Sequence, residues 1–256
     1  MKVYYSADKW KDYGDYYIYE DDQRTIGWKQ ARMGRVTGST VSECIGNKSF
    51  RLNKSPLESQ TNPLTNDPLE DPIVQVALEI AGVKEKVFTE ESKRAIDHGI
   101  LHESNGRDWY SRVNQVQVIE APFGVPKFDG RIGASPDGII IQNNQEMGLL
   151  EIKCPQRVYQ SIIDYINHDK PYTEEYSHIP RGHYDQMQMN LAIFNKEWCD
   201  YLIYCTPEEF VFLERVHRNR KYWDSIYSKI QIFIDGVLQP ILNFYHSKYP
   251  LLPGVK

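Results

Sequence analysis

The spacing of apolar residues changes period along this chain, and the change predicts its organisation. The first half carries helical spacing near 3.6. Residues 26–35 (IGWKQARMGR) read as a short helix closed near Gly34, and Thr37-Gly38-Ser39 offers an N-cap for a second helix through Cys44. Further helices are expected over Pro72–Ala81 and Thr89–Val113. On the longer one Ala95, Ile96, Gly99 and Ile100 share a face that Glu103 prolongs, an unusual place for a carboxylate. From Val116 the period shortens to two. Val116–Ile119, Arg131–Ala134, Ile139–Gln142 and Leu149–Cys154 read as strands, with Ser135-Pro136-Asp137-Gly138 as a tight turn between two of them. His183–Asn195 returns to helical spacing, with Met187, Leu191 and Phe194 on one face. Tyr201–Cys205 and Phe210–Val216 read as a strand pair, and Asn219–Ser247 as a closing helix interrupted at Gly236 and Pro240. Ser49–Asp71, with Pro56, Pro63 and Pro68, reads as a long loop.

The expected fold class is α/β, a mixed central β-sheet flanked by helices. The chain is expected to be one domain over 1–256. Its N-terminal part (about 1–113) should be helical, its sheet core should run over about 114–216, and its C-terminal helix over about 219–247.

Composition narrows the classes. Of 256 residues 41% are apolar and 25% charged, enough for a packed core without disulfides or metals. The four cysteines (Cys44, Cys154, Cys199, Cys205) are far apart and form no C-x-x-C pair, so neither a zinc site nor a disulfide framework is expected, and a reducing intracellular compartment fits. No run of about 18 apolar residues exists, and MKVYYSADKW carries no apolar leader core, so no membrane association is expected. The net charge of −5 argues against a general nucleic-acid coat protein. Local charge differs: Arg24, Lys29, Arg32 and Arg35 form one basic stretch, and Arg215, His217, Arg218, Arg220 and Lys221 another. The stretch before the first is acidic, with Asp12, Asp15, Glu20, Asp21 and Asp22. Such clusters are either DNA-facing patches or ordinary solvated faces.

The candidate chemistry lies in FDGRIGASPDGIIIQNNQEMGLLEIKCP. Glu151 and Lys153 alternate with Ile152 on one strand, so they face the same side. If the strands carrying Asp137 and Glu151 are hairpin neighbours, the two carboxylates come together. With a backbone carbonyl such as that of Ile152, they make a hard oxygen site of the kind magnesium takes, waters completing the shell. Lys153 argues against a plain calcium loop. Beside a scissile phosphate it has a role of its own, orienting or deprotonating water or offsetting charge. Acid-x-Lys on a strand and S-P-D-G turns are each common as structural features. Their combination on a largely apolar strand is less so, because unpartnered buried charges are costly.

The order Asp137, then Glu151-x-Lys153, resembles the PD-(D/E)XK nuclease superfamily. More closely, the chain resembles its lambda-exonuclease type, the YqaJ-type viral recombinase nucleases. WKQARMGRVTGS (Trp28–Ser39), HGILHE (His98–Glu103), GASPDG with LEIKCP, and HYDQMQ (His183–Gln188) occur in the order expected of that family. The resemblance implies a restriction-endonuclease-like core and an exonuclease that degrades the 5′-ended strand of linear duplex DNA for recombination or repair. It implies Mg2+ as cofactor, with Mn2+ as a substitute, and Asp137, Glu151, the Ile152 carbonyl and Glu103 as the metal centre. Lys153 is then the catalytic lysine and Gln186 a residue that holds the attacking water. Arg32, Ser39 and Ser135 match positions of a 5′-phosphate pocket, where an N-capped helix start would add a favourable dipole. The resemblance also implies double-stranded DNA ends as substrate, a homotrimeric ring and a single-strand annealing protein as partner. The pattern departs in two places. The upstream acid nearest Asp137 is Asp129, eight residues before it, and the place of a family tyrosine holds His183, with Tyr184 beside it.

Three alternatives stay open on sequence. One is an endonuclease of the same superfamily. One is the iron–sulfur branch of these nucleases, which uses four cysteines, although the spacing here is wrong for it, since Cys154 sits on the candidate catalytic strand and no close triplet follows. The last is a non-catalytic DNA-binding module.

Overall fold

A computed structural model describes residues 7–46, 71–167, 175–206 and 210–245. The loop expected over Ser49–Asp71 lies outside them, except for Asp71, whose carboxylate caps a helix by accepting the Ile73 N–H. The described residues form two compact units, one drawn from 7–86, 122–135 and 219–245, the other from 87–121 and 136–218.

In the first unit β1 (Trp10–Asp12), β2 (Tyr16–Tyr19) and β5 (Phe123–Pro126) make an antiparallel sheet in that order. The N-terminal part was expected to be helical, and these strands correct it. The tyrosine-rich stretch in fact alternates, with Tyr16 and Ile18 buried and Tyr17 exposed, after a turn at Gly14. Tyr19 and Phe123 bury against Ala31 of α1 (Ile26–Arg32), with Trp10 and Trp28 packed on the cluster. Helix α1 starts where the Thr25 side chain accepts the Trp28 N–H, and Gly34 follows it at φ +76°, a left-handed turn that favours glycine.

The next segment corrects a second expectation. Thr37 lies in a short strand, β3 (Val36–Thr37), paired in parallel with β6 (Ile132–Gly133). The following helix, α2, is only Val41–Cys44, with Thr40 at its cap position and no side-chain cap bond. The hydroxyls of Thr37, Ser39 and Thr40 bond one another instead. Helix α3 (Pro72–Ile80) matches its expected range closely.

At the C-terminal end α7 (Arg220–Phe233) begins at the Asn219 cap and buries Trp223, Ile226, Ile230 and Phe233 at helical spacing. The interruption at Gly236 is a π-helical turn, Ile234–Leu238, rather than a break, and Pro240 falls in the first turn of α8 (Gln239–Tyr245). Asp129 is buried here. It accepts from the Arg131 backbone N–H and guanidinium and from the Tyr227 hydroxyl, which ties the segment before Ser135 to α7.

The second unit is a mixed five-stranded sheet, ordered β10 (Phe210–His217), β9 (Trp198–Cys205), β8 (Gln145–Lys153), β7 (Gly138–Gln142) and β4 (Gln117–Ile119). Only β8 and β9 run parallel. A parallel neighbour needs a crossover, and α5 (Gln160–Ile166) and α6 (Arg181–Ile193) lie on it. Strand alternation assigns the faces. Leu150, Ile152 and Cys154 pack with Tyr110 of α4 (Glu90–Asn114), whereas Glu151 meets α6 on the other face. Phe194 closes α6, and Met187 and Leu191 are buried with it as expected.

Helix α4 begins at the Thr89 cap, as its sequence implies, but its packed face is not the one expected. Ile96 and Ile100 are 41% and 44% exposed, and the buried residues are Gly106 and Tyr110. A Cβ on Gly106 would stand 3.0 Å from Ile152, so the close approach of helix to sheet requires glycine there. Glu103, three residues earlier, lies on this sheet-facing stripe.

Candidate active site

The β7–β8 hairpin, which pairs Gly138 with Leu150, carries Asp137 to the side of Ile152. Asp137 Oδ2 accepts the Ile152 N–H at 2.6 Å. A residue's N–H and C=O leave a strand on the same edge, so the Ile152 carbonyl faces the edge where Asp137 lies. Glu151 and Lys153 project from the same face of β8, with Lys153 Nζ 2.6 Å from Glu151 Oε1. The other Glu151 oxygen accepts from Asn190 Nδ2 of α6 at 3.2 Å. From α4, Arg107 donates its Nε to the Asp137 carbonyl at 3.0 Å and its Nη2 to Glu103 Oε1 at 2.9 Å. Glu103 is thus held by the Arg107 one turn along its own helix.

The electrostatics are unusual. Burial first, then the charge of Glu151, pushes the Asp137 carboxyl well above the usual carboxylate range, against the pull of Lys153 and the Ile152 N–H. Burial also raises the Glu151 carboxyl, with Lys153 opposing it and Glu103 adding to it. Burial works against the Lys153 ammonium, but Glu151 and Asp137 outweigh it and hold its pKa above the ordinary lysine value. Lys153 is therefore a charged donor in this arrangement. A single ammonium faces two carboxylates, Glu151 buried and Asp137 half-buried, and the repulsion left over is what a cation would relieve. Among the described residues no three Asp, Glu, His or Cys side chains converge closely enough to hold an ion by themselves. The donor set on offer is two carboxylates and the Ile152 carbonyl, all oxygen, which suits magnesium or manganese with waters.

A folded-state carboxyl with a raised pKa stabilises the fold below the ordinary carboxylate value, and that stability is lost as pH rises through the folded pKa. Asp137→Asn keeps the acceptor for Ile152 and removes the charge. In chelator at pH 8 the variant should melt above the unsubstituted chain, by about 2–4 °C for each kcal/mol relieved. At pH 4 the gap should close. Calorimetric melts at both values check the sign.

Gln186 and Asn190 are one turn apart on α6, with His183 one turn before Gln186. His183 Nδ1 lies 2.7 Å from the hydroxyl of buried Tyr201, and its ring meets Tyr159 edge-on. Gln186 is half-buried, and its carboxamide has no hydrogen-bond partner among the described residues. Tyr184 is buried on a different side, stacked with Tyr176. Of the two candidates for the family tyrosine's place, His183 therefore shares the face of Gln186 and Asn190.

The first unit holds a polar cluster of its own. The Arg32 guanidinium donates to Thr37 Oγ1 at 3.2 Å and Ser39 Oγ at 2.9 Å, and lies 4.1 Å from the Trp28 ring centroid. Trp28 Nε1 donates in turn to Ser135 Oγ at 3.0 Å. Burial pushes the Arg32 pKa down to about 10, and among the described residues no carboxylate pairs with it. It stays charged at neutral pH, a half-buried cation bonded to hydroxyls, which is chemistry that suits an anion. Arg35, its neighbour in the basic stretch, is different. It is buried and donates to the carbonyls of Gly130 and Ala31. In the second basic stretch Arg215 is paired to Asp200 and Arg218 to Glu197.

Sequence reasoning passed over Trp28, Thr37 and Asn190. Thr37 stands beside Gly38-Ser39 and Asn190 one turn past Gln186, so spacing could have raised both. Asp129, left open on sequence, has its carboxylate engaged by Arg131 and Tyr227. The four-cysteine alternative fails on geometry. Cys199 and Cys205 stand at opposite ends of the region they share on β9. Six residue steps along the strand separate them, about 20 Å, too far for one cluster.

A mixed sheet with a helix on each face, and an Asp…Glu-x-Lys set on a central hairpin, defines a restriction-endonuclease-like α/β fold. Solved structures agree. An alkaline exonuclease from Laribacter hongkongensis superposes with TM-score 0.60 at 21% identity, covering 88% of this chain and 97% of that one. The same enzyme in complex with dAMP gives 0.60 at 22%, covering 87% and 97%. A phage-related exonuclease from Haemophilus somnus 129PT gives 0.55 at 9%, covering 85% and 100%. No curated protein matches the chain. The family model for the YqaJ-like viral recombinase domain matches residues 27–197, and the chain belongs to that family. Among the described residues no helix is long and apolar enough to cross a membrane.

Proposed function

We propose that this chain is a divalent-metal-dependent deoxyribonuclease that hydrolyses the 5′-ended strand of linear duplex DNA from its end. The observation that carries the reading is half-buried Asp137 beside buried Glu151, with Lys153 bonded to Glu151, on the hairpin where the fold family presents an acid-acid-lysine set. The exonuclease names of the structural neighbours and the family membership support it. Asp137, Glu151 and the Ile152 carbonyl would hold Mg2+ or Mn2+, with Glu103 reaching the centre from α4. Bound there, the ion supplies Lewis-acid polarisation of the phosphate and a water of lowered pKa. Lys153 donates to a non-bridging oxygen or to the attacking water and offsets charge that grows in the transition state. Gln186, with an unpartnered carboxamide, orients that water. Arg32, Ser39 and Ser135 grip a terminal 5′-phosphate, which sets the polarity of digestion.

We read 1–256 as one nuclease domain, since the family match runs through segments of both units. Assembly as a homotrimer and supply of single strands to an annealing protein for recombination or repair belong to the same reading. Sedimentation of the purified protein tests the trimer. The central test is a digestion time course on end-labelled duplexes with magnesium, manganese or chelator. Stepwise loss of a 5′ label with either ion, none with chelator, and intact closed circles are expected. Rapid cutting of closed circles would make the chain an endonuclease instead. Binding without cleavage in any metal would make it a DNA-binding module.

A further inference from the structure

Asn190 is 1% exposed, in the interior of α6, between buried Met189 and Leu191 in sequence. Its Nδ2 donates to Glu151 Oε2, while its Oδ1 is buried with no hydrogen-bond partner among the described residues. Half of the amide's bonding capacity is thus unmet inside the protein, which is costly. Leucine or methionine would fill the same space without that cost. The amide is not needed to cap a helix or close a turn, since α6 runs past it to Ile193. Its one bond goes to Glu151, a carboxylate that is itself fully buried.

We propose that Asn190 is a positioning residue for the metal centre. It pins Glu151 Oε2 so that Oε1, the oxygen that meets Lys153, is the one presented to the cation, and its bare Oδ1 accepts from a water of that centre. The inference rests on the metal reading above and adds a residue to it. Carboxylate ligands are aimed by their outer hydrogen bonds, and losing such a partner weakens metal binding by about 10- to 100-fold.

The test uses the full chain with manganese or magnesium as the probe. The metal-induced rise in melting temperature is titrated for the unsubstituted chain, for Asn190→Leu and for Asn190→Ser. Asn190→Ser covers the case in which leucine prevents folding. The expected result is a metal midpoint raised about 10- to 100-fold in the variants. At saturating metal the KM for DNA should be unchanged and kcat lowered, a split that mere loosening of the core would not produce. An unchanged metal midpoint in a folded variant overturns the role of Asn190 and leaves the metal centre standing. No metal-induced shift in the unsubstituted chain overturns the metal centre, and the role of Asn190 with it.

Discussion

Lys153→Ala is expected to lower the single-turnover cleavage rate about 10²- to 10³-fold at saturating magnesium, the loss typical when one donor to a developing oxyanion is removed. The same change has a second, separable effect. Lys153 Nζ is bonded to Glu151 Oε1, and Glu151 is fully buried. Without the lysine the metal-free protein holds two carboxylates with no ammonium between them, and removing one partner of a buried pair costs on the order of 3–5 kcal/mol. Melts in chelator should show that loss, and adding magnesium should recover part of it, because the ion supplies the missing positive charge. The cleavage rate should not recover. A folded Lys153→Ala protein that cuts at the unsubstituted rate would sink the mechanism.

Arg32→Ala is expected to act on end choice rather than on chemistry. A guanidinium–phosphate contact is charge-assisted, worth about 1.5–3 kcal/mol. The ratio of rates on 5′-phosphate and 5′-hydroxyl duplexes should therefore fall about 10- to 100-fold toward unity. Rates on 5′-hydroxyl ends should change little. Equal loss on both ends would remove the anion pocket from the reading and leave Arg32 as a packing residue on Trp28 and Phe123.

The central hairpin was the most legible part of the sequence, because each of its signals agreed. Alternation along GLLEIKCP gave the face of Glu151 and Lys153, and the S-P-D-G turn placed Asp137 ahead of a strand that does pair with β8. Helix caps at Thr25, Thr89 and Asn219 sit where short polar side chains precede apolar periods. Helix α4 was misread because two stripes compete on it. Periodicity favoured Ile96 and Ile100, whereas the sheet accepts the stripe that lacks a side chain at Gly106. That choice depends on a partner surface that one segment does not encode. The strands at Trp10–Asp12 and Tyr16–Tyr19 were missed because tyrosine serves both buried and exposed positions, which blurs a two-residue period. The hydroxyl-rich turn at Thr37–Thr40 looked like a helix cap, but its hydroxyls instead accept from Arg32 and bond one another. Asn190 lies outside the family motifs, one turn past Gln186, and its bond to Glu151 and its unpartnered Oδ1 single it out.

The four cysteines, useless as a cluster, have a practical value. All are buried, and burial holds the Cys44, Cys154 and Cys199 thiols above the usual thiol range, so thiolate is scarce at neutral pH. A single cysteine introduced on the exposed side of α4, at Asp97 for example, would then be the fast-reacting thiol in the native protein. A maleimide dye would then label that one position, with every native cysteine left in place.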